Sequence, residues 1–196
     1  FARGGGYSST VTPDMSKKFQ ARLVQANKVL LGARDLKTKC PIWWSTMQNI
    51  ALGEGWDRAS YENLFADAVK FEPTYTSFYI GKAKYLLPRW YGKEGEWQKF
   101  AAESANKIGG DEGDALYARI GWSIRDGGIY VGFLKDAGYS WPRLKKGLEI
   151  IIKKNPDSIS ALNQLAYFLS QKQDRTGAAP VFQAVGGQAV EDIWDT

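Results

Sequence analysis

Apolar residues recur at spacings of three and four through most of the chain, and this period constrains the fold more than any other feature. In the first periodic stretch they are Phe19, Leu23, Ala26, Leu30 and Ala33. That spacing forms one apolar face of an α-helix, which turns once every 3.6 residues. Glycines and prolines separate the periodic stretches, and no run alternates apolar and polar residues as a strand does. The sequence predicts an all-α fold.

The predicted helices begin and end at capping residues, prolines or glycines. We expect them at 13 to 32–35, 41–52, 58–71, 74–87, 96–108, 111–126, 141–154, 159–171 and 176–185. Gly127-Gly128 should break the sixth helix, and the short segment 130–135 fits no single assignment. Residues 1–11 are Gly-rich and should be loosely ordered, and a chain that opens on Phe1 is expected to belong to a longer protein.

Repeated helix pairs are predicted by two alignments of the chain with a repeat unit, which we call registrations, each anchored on a proline. The tetratricopeptide unit is about 34 residues long, with small and large residues at fixed packing positions. After Pro156 and around Pro73 these positions hold Leu162, Leu165, Ala166, Leu169, Ala178 and Phe182, and Tyr61, Phe65, Ala68, Tyr79, Ala83 and Leu86. The separation of the two prolines is not a multiple of the repeat, so the middle of the chain should carry insertions. We expect one domain, 1–196, of tetratricopeptide-like antiparallel helix pairs stacked in a curved right-handed array.

Three longer blocks carry a second resemblance. They are "ARGGGY" at 2–7, "YLLPRWYGKEGEWQKFA" at 85–101 and "GDALYARIGW" at 113–122. With these blocks the chain resembles the uncharacterised bacterial family catalogued as domain of unknown function 4034. The resemblance implies a bacterial helical-repeat protein with a further helical stretch before Phe1. It supplies no catalytic residue.

The inventory of charged and ligand-forming residues narrows the function. Lys and Arg outnumber Asp and Glu by 26 to 21, a modest and dispersed excess that favours a solvated surface over nucleic-acid binding. The chain has no histidine, the commonest general base and a common zinc ligand. Cys40 is the only cysteine, which excludes an internal disulfide. We expect no cofactor and no metal. We also expect no membrane span, since no apolar stretch reaches roughly 20 residues. The compartment, cytoplasm or periplasm, stays open.

A catalytic function would have to rely on carboxylates. The candidate acids are Glu94, Glu96, Glu103, Asp111, Glu112 and Asp114. They cluster at turns and helix starts, where acids favour the positive end of the helix dipole. The "GGDEGD" stretch at 109–114 is therefore interpreted as a helix N-terminus. A carboxylate-dependent hydrolase or transferase is the alternative function, and a salt-sensitive nucleic-acid binder is a third.

The preferred prediction is a non-catalytic protein-interaction module that binds a peptide or protein partner in a groove. In a tetratricopeptide-like array the first helix of each pair faces that groove. The two registrations place there Ile80, Lys84, Asn163 and Tyr167. Asn and Lys can hold a peptide backbone or a carboxylate, and Tyr supplies contact area. The partner is unnamed, and the many aromatic side chains are consistent with self-association.

The turn "YLLPRWYGKEGEW", 85–97, has two interpretations. Trp97 should start the next helix and lie in the core. In one interpretation Trp90 packs beneath the turn and Arg89 pairs with an acid. In the other, Arg89 and Tyr91 line the rim of the groove and contact the partner, because Arg and Tyr are frequent hot-spot residues.

Overall fold

The computed structural model describes residues 11–36, 40–126 and 138–194. Within these ranges the chain is helical and forms no strand, so the all-α prediction is confirmed. The helices are α1 (Pro13–Gly32), α2 (Pro41–Glu54), α3 (Arg58–Phe71), α4 (Thr76–Tyr85), α5 (Glu96–Ile108), α6 (Gly110–Asp126), α7 (Trp141–Lys154), α8 (Ile159–Gln171), α9 (Arg175–Val185) and α10 (Glu191–Trp194). The predictions for 130–135 and for Gly127-Gly128 lie outside the described residues, as does nearly all of 1–11.

Polar side chains set the starts of several helices. Thr12, Asp57, Ser140 and Ser158 each accept a hydrogen bond from the backbone N–H three residues on, at the starts of α1, α3, α7 and α8. Such caps satisfy N–H groups that have no partner inside the helix. Gly55 ends α2 in the left-handed conformation, with φ of 76°. These local signals explain why most predicted boundaries lie within two residues of the observed ones.

The helices pack into two compact units, Phe1–Gly92 and Lys93–Thr196. We call them the first and the second unit and describe each by itself. The expectation that both belong to one continuous array stays a prediction.

In the first unit α2 is central and packs against α1, α3 and α4. The apolar face predicted for α1 is half-buried, and Leu23 from that face lies against Gly53 of α2. A Cβ atom at Gly53 would lie only 2.8 Å from Leu23 Cδ1, so the glycine permits this approach. Trp43 Nε1 of α2 also donates to the Leu30 carbonyl, at 3.0 Å.

In the second unit α6 packs against α5 and α7, and α8 packs against α7, α9 and α10. The α6–α7 contact is close because Gly147 has no side chain. A Cβ there would lie 2.1 Å from the Asp114 carbonyl oxygen. Trp97 is 1% exposed and stacks on Tyr139 at a centroid distance of 5.0 Å. The prediction that Trp97 lies in the core is confirmed.

Asp114 links α6 to α7 electrostatically. Its carboxylate accepts from Arg143 Nε at 2.8 Å and from Lys146 Nζ at 2.7 Å. Burial would raise the pKa of Asp114, but the hydrogen bonds and charges of Lys146 and Arg143 lower it below its ordinary value. Asp114 therefore remains ionised and holds the two helices together at neutral pH.

A candidate peptide-binding face on the second unit

Two of the predicted groove residues, Ile80 and Lys84, lie one turn apart on α4 of the first unit. Both side chains are half-buried. Between them in sequence, Lys82 is 8% exposed and its ammonium donates to Glu62 of α3. Lys82 also lies over the Phe65 ring, with Nζ 4.2 Å from the centroid. Part of α4 thus serves the packing of its own unit, and the groove role of Ile80 and Lys84 stays a prediction.

The turn after α4 packs against its own unit through Tyr91. The Tyr91 hydroxyl donates to the Leu52 carbonyl at 3.2 Å, and its ring lies 4.9 Å from that of Tyr85. The Tyr91 side chain is nevertheless 42% exposed, and Arg89 is exposed. Tyr91 therefore both fastens the turn and presents part of its ring at the surface.

The other two predicted groove residues are on α8, and neither lies on an open surface. Asn163 is 0% exposed and Tyr167 is 6% exposed. The placement of these side chains on an exposed groove is wrong. The physical reason is that residues 187–194, which we call the 187–194 segment, cover this side of α8. Asn163 and Tyr167 are brought together, but beneath that segment.

Asn163 uses its full hydrogen-bonding capacity on main-chain and indole groups. Its Nδ2 donates to the Ile159 carbonyl at 2.9 Å and to the Gln188 carbonyl at 3.0 Å. Its Oδ1 accepts from Val190 N at 3.2 Å and from Trp194 Nε1 at 2.8 Å. An amide has two donors and two acceptor positions, so none is left over. Asn163 holds the 187–194 segment at three points.

Aromatic rings and one guanidinium complete the face. Tyr167 meets Trp194 edge-on at a centroid distance of 5.9 Å. Arg125, at the end of α6, has its Cζ 4.0 Å from the Tyr167 ring and 4.9 Å from the Trp122 ring. Its Nη2 donates to the Ile193 carbonyl at 2.7 Å. We call Trp122, Arg125, Asn163 and Tyr167 together the α8 face.

Gly186 and Gly187, the latter the first residue of the 187–194 segment, connect α9 to the rest of that segment. Gly186 has φ of 56°, in the left-handed region, and in the described part of the chain no atom beyond the adjacent residues lies within 4 Å of where a Cβ of Gly187 would lie. Beyond them only Ile193 is buried, while Val190 and Trp194 are half-buried. The residues in between point outward, namely Gln188, Ala189, Glu191 and Asp192, all exposed. The segment thus contacts its unit through few side chains.

The helical period alone did not identify Arg125 and Trp194 as members of this face. Arg125 lies one residue before the end of a predicted helix, where a charged side chain does not indicate a binding site. A usable signal does exist after Gly186-Gly187, where Val190, Ile193 and Trp194 are spaced as one apolar edge. A four-residue helix is too short for that period to be distinctive.

At least four of the six candidate catalytic acids take part in hydrogen bonds or ion pairs within the second unit, namely Glu96, Glu103, Glu112 and Asp114. Glu96 Oε2 accepts from Lys93 N at 2.9 Å, and Glu103 lies 3.8 Å from Lys99 Nζ. Glu112 pairs with Lys154, and the hydrogen bond and charge of that lysine lower the pKa of Glu112. No group of three or more metal-ligating side chains occurs in the described parts of the chain.

Comparison with known proteins gives no match: no family model, no curated protein and no solved structure is similar to the chain. The resemblance to domain of unknown function 4034 therefore stays a prediction. Among the helices at 11–36, 40–126 and 138–194, none is both long and apolar enough to cross a membrane.

Proposed function

We propose that the chain is a non-catalytic protein-interaction module whose α8 face binds a peptide segment of a partner protein. One observation carries this proposal. A buried asparagine on a helix holds the carbonyl and the N–H of a passing chain segment, at Gln188 and Val190. This is the chemistry of peptide recognition, carried out on a segment of the same chain.

The division of labour on the face supports the proposal. Hydrogen bonds to the main chain provide affinity that any peptide can satisfy, whereas side-chain pockets provide selectivity. Asn163 supplies the first kind of contact. The rings of Trp122 and Tyr167 and the guanidinium of Arg125 supply the second, and Trp, Tyr and Arg are the residues that dominate binding energy at protein interfaces.

Tetratricopeptide-like stacking is the second part of the proposal. In such an array the first helices of successive pairs lie side by side and form the concave surface. The close packing of α6 with α7 and of α8 with α9 supports two helix pairs. The 4.0 Å approach of Arg125 on α6 to the Tyr167 ring on α8 supports neighbouring first helices.

Selection from a random peptide library tests the proposal. The bait is the full chain with Trp194→Ala, which weakens the hold of the 187–194 segment on the α8 face. We expect enriched peptides that lose at least about tenfold in affinity when Asn163→Asp is added, because aspartate keeps the shape of asparagine but has no N–H donor. Arg125→Lys is the second variant, since it keeps the charge and loses the planar stacking group.

Gln164→Ala is the matched control, because Gln164 neighbours Asn163 on α8 and its amide donates to Ser160 on the same helix, at 3.1 Å. This control should leave the affinity unchanged. A library that yields no binder, or binders indifferent to both Asn163→Asp and Arg125→Lys in folded protein, overturns the proposal.

A further inference from the structure

We infer that the 187–194 segment is an intramolecular ligand of the α8 face, displaced by an acidic partner segment that presents the same apolar-x-x-apolar-Trp pattern. This inference rests on the proposed function. It adds the chemistry of the partner and the way in which access to the face is regulated.

The first ground is how the segment is attached. Its apolar side chains are the buried Ile193 and the half-buried Val190 and Trp194, and Asn163 and Arg125 hold its main chain. Gly186 and Gly187 connect it to α9, and both are exposed. A second chain with the same apolar edge could make every one of these contacts, since the bonds are to main-chain atoms and an indole N–H.

The second ground is charge. Arg125 is 8% exposed, and among the described residues its guanidinium bonds to a carbonyl and meets no carboxylate. The segment itself carries Glu191 and Asp192, and the whole chain has a net charge of +5. A partner segment with the same two acids, exposed as Glu191 and Asp192 are, therefore complements the positive net charge of the chain and leaves Arg125 to bond its main chain.

The third ground is the energetics of displacement. A two-glycine connection keeps the segment near the α8 face at an effective concentration in the millimolar range. The apparent affinity for a partner falls by the fraction of molecules whose face is open. A partner must therefore bind the α8 face tightly enough to displace the tethered segment. Acidic peptides of low affinity do not displace it.

The test uses a fluorescein-labelled peptide of sequence GQAVEDIW, that of residues 187–194, and fluorescence anisotropy. We expect it to bind the Trp194→Ala chain at least about tenfold more tightly than the wild-type chain, because only the variant has a weakened internal competitor. A peptide with Ala in place of its Trp should bind the variant at least about tenfold more weakly than the parent peptide.

Trp141→Ala is the matched control. Trp141 is a half-buried Trp in the same unit that packs against Phe168 at a centroid distance of 6.4 Å. The Trp141→Ala chain should bind the peptide with the same affinity as the wild-type chain. If Trp194→Ala unfolds, Val190→Pro is the second variant. It removes the N–H group that donates to Asn163 Oδ1 and leaves Trp194 in place.

The outcomes separate the inference from the function on which it rests. Equal binding of GQAVEDIW to wild type and to a folded variant overturns the intramolecular competition, while library peptides that depend on Asn163 would leave the function standing. Concentration-dependent dimerisation of the wild type, lost in Trp194→Ala, would make a second copy the occupant and overturn the inference. Equal binding of the Trp and Ala peptides overturns the proposed pattern.

Discussion

The turn at 86–92 and the 187–194 segment are both fastened to helices by hydrogen bonds between a side chain and the main chain, but the bonds run in opposite directions. In the first unit a side chain of the turn, Tyr91, donates to a helix carbonyl at Leu52. In the second unit a helix side chain, Asn163, bonds to the main chain of the segment. A turn that donates to a helix fastens only itself, whereas a helix that bonds to main-chain atoms can hold any segment of suitable shape.

The two regions also differ in how their rings pack. Tyr91 belongs to a stack in which Tyr85 lies 3.8 Å from Tyr61 and 4.9 Å from Tyr91. Burial raises the pKa of both Tyr61 and Tyr85, which keeps the phenols neutral. Trp194 instead meets Tyr167 edge-on and Phe182 at 5.7 Å, as part of an edge that two glycines attach to α9. Tyr61 and Tyr85 of the stack are buried, whereas Trp194 is half-buried and packs at the edge of a core cluster of its unit.

The largest effect should follow from Asn163→Ala. The change leaves Val190 N and Trp194 Nε1 without an acceptor, so we expect the free energy of unfolding to fall by about 3 kcal/mol. Urea unfolding followed by circular dichroism measures it. Gln164→Ala is the control and should cost about 0.5 kcal/mol or less. A loss at Asn163 no larger than the control would remove the contrast between the two regions.

Asp114→Asn should be next, because it tests the α6–α7 contact that supports Arg125. The charge-assisted bonds to Arg143 and Lys146 are lost, at a cost of about 2 kcal/mol near neutral pH. The folded pKa of Asp114 is below its ordinary value of 3.8, so its contribution is present above that value and lost as the pH falls through the lowered folded pKa.

Unfolding at about pH 7 and at about pH 2 checks this prediction. The difference between wild type and Asp114→Asn should be largest at the higher pH and shrink at the lower one. A constant difference across this range would mean that the charge of Asp114 does not link the two helices.

Tyr85→Phe measures the stack of the first unit. The Tyr85 hydroxyl donates to the Trp56 carbonyl at 2.9 Å, and the side chain is 1% exposed. Phe keeps the ring and removes the hydroxyl, so the free energy of unfolding should fall by about 1 kcal/mol. Binding of GQAVEDIW to the Trp194→Ala chain should not change. A change in that binding would show that the first unit influences the α8 face.

Tyr91→Phe should have the smallest effect. Its hydroxyl bond spans 3.2 Å on a side chain that is 42% exposed, so we expect a loss of about 0.5 kcal/mol in urea unfolding. Tyr91→Phe could instead lower the free energy of unfolding as much as Asn163→Ala. The side-chain bond from the turn and the side-chain bonds from α8 would then contribute equally to stability. The comparison between the two regions would then fail.

Sequence reasoning predicted the helices well, because their signals are local. Asp57 and Ser158 cap helices where polar side chains precede periodic runs, and the observed starts of α3 and α8 agree with the prediction. The fourth predicted helix ran to 87, whereas α4 ends at Tyr85, because the Leu86-Leu87-Pro88 stretch turns before the proline.

The burial of Asn163 could not be predicted in the same way. Repeat offsets place it on a helix, and α8 is that helix, but they carry no information about a segment some 25 residues further along. Whether that face is open or covered depends on the path of the chain after Gly186. Arg125 was missed for the same reason, since its acceptor is the carbonyl of Ile193, 68 residues away.

All the hydrogen-bonding positions of the Asn163 amide are occupied, and this has a consequence for sequence variation. Aspartate lacks the donors, leucine lacks both kinds of group, and glutamine carries an extra methylene, so no single replacement satisfies Gln188, Val190 and Trp194 together. Substitution at 163 should therefore be correlated with substitution at 194. Relatives that replace the asparagine would replace the tryptophan as well, and the two positions would covary as one unit despite lying 31 residues apart.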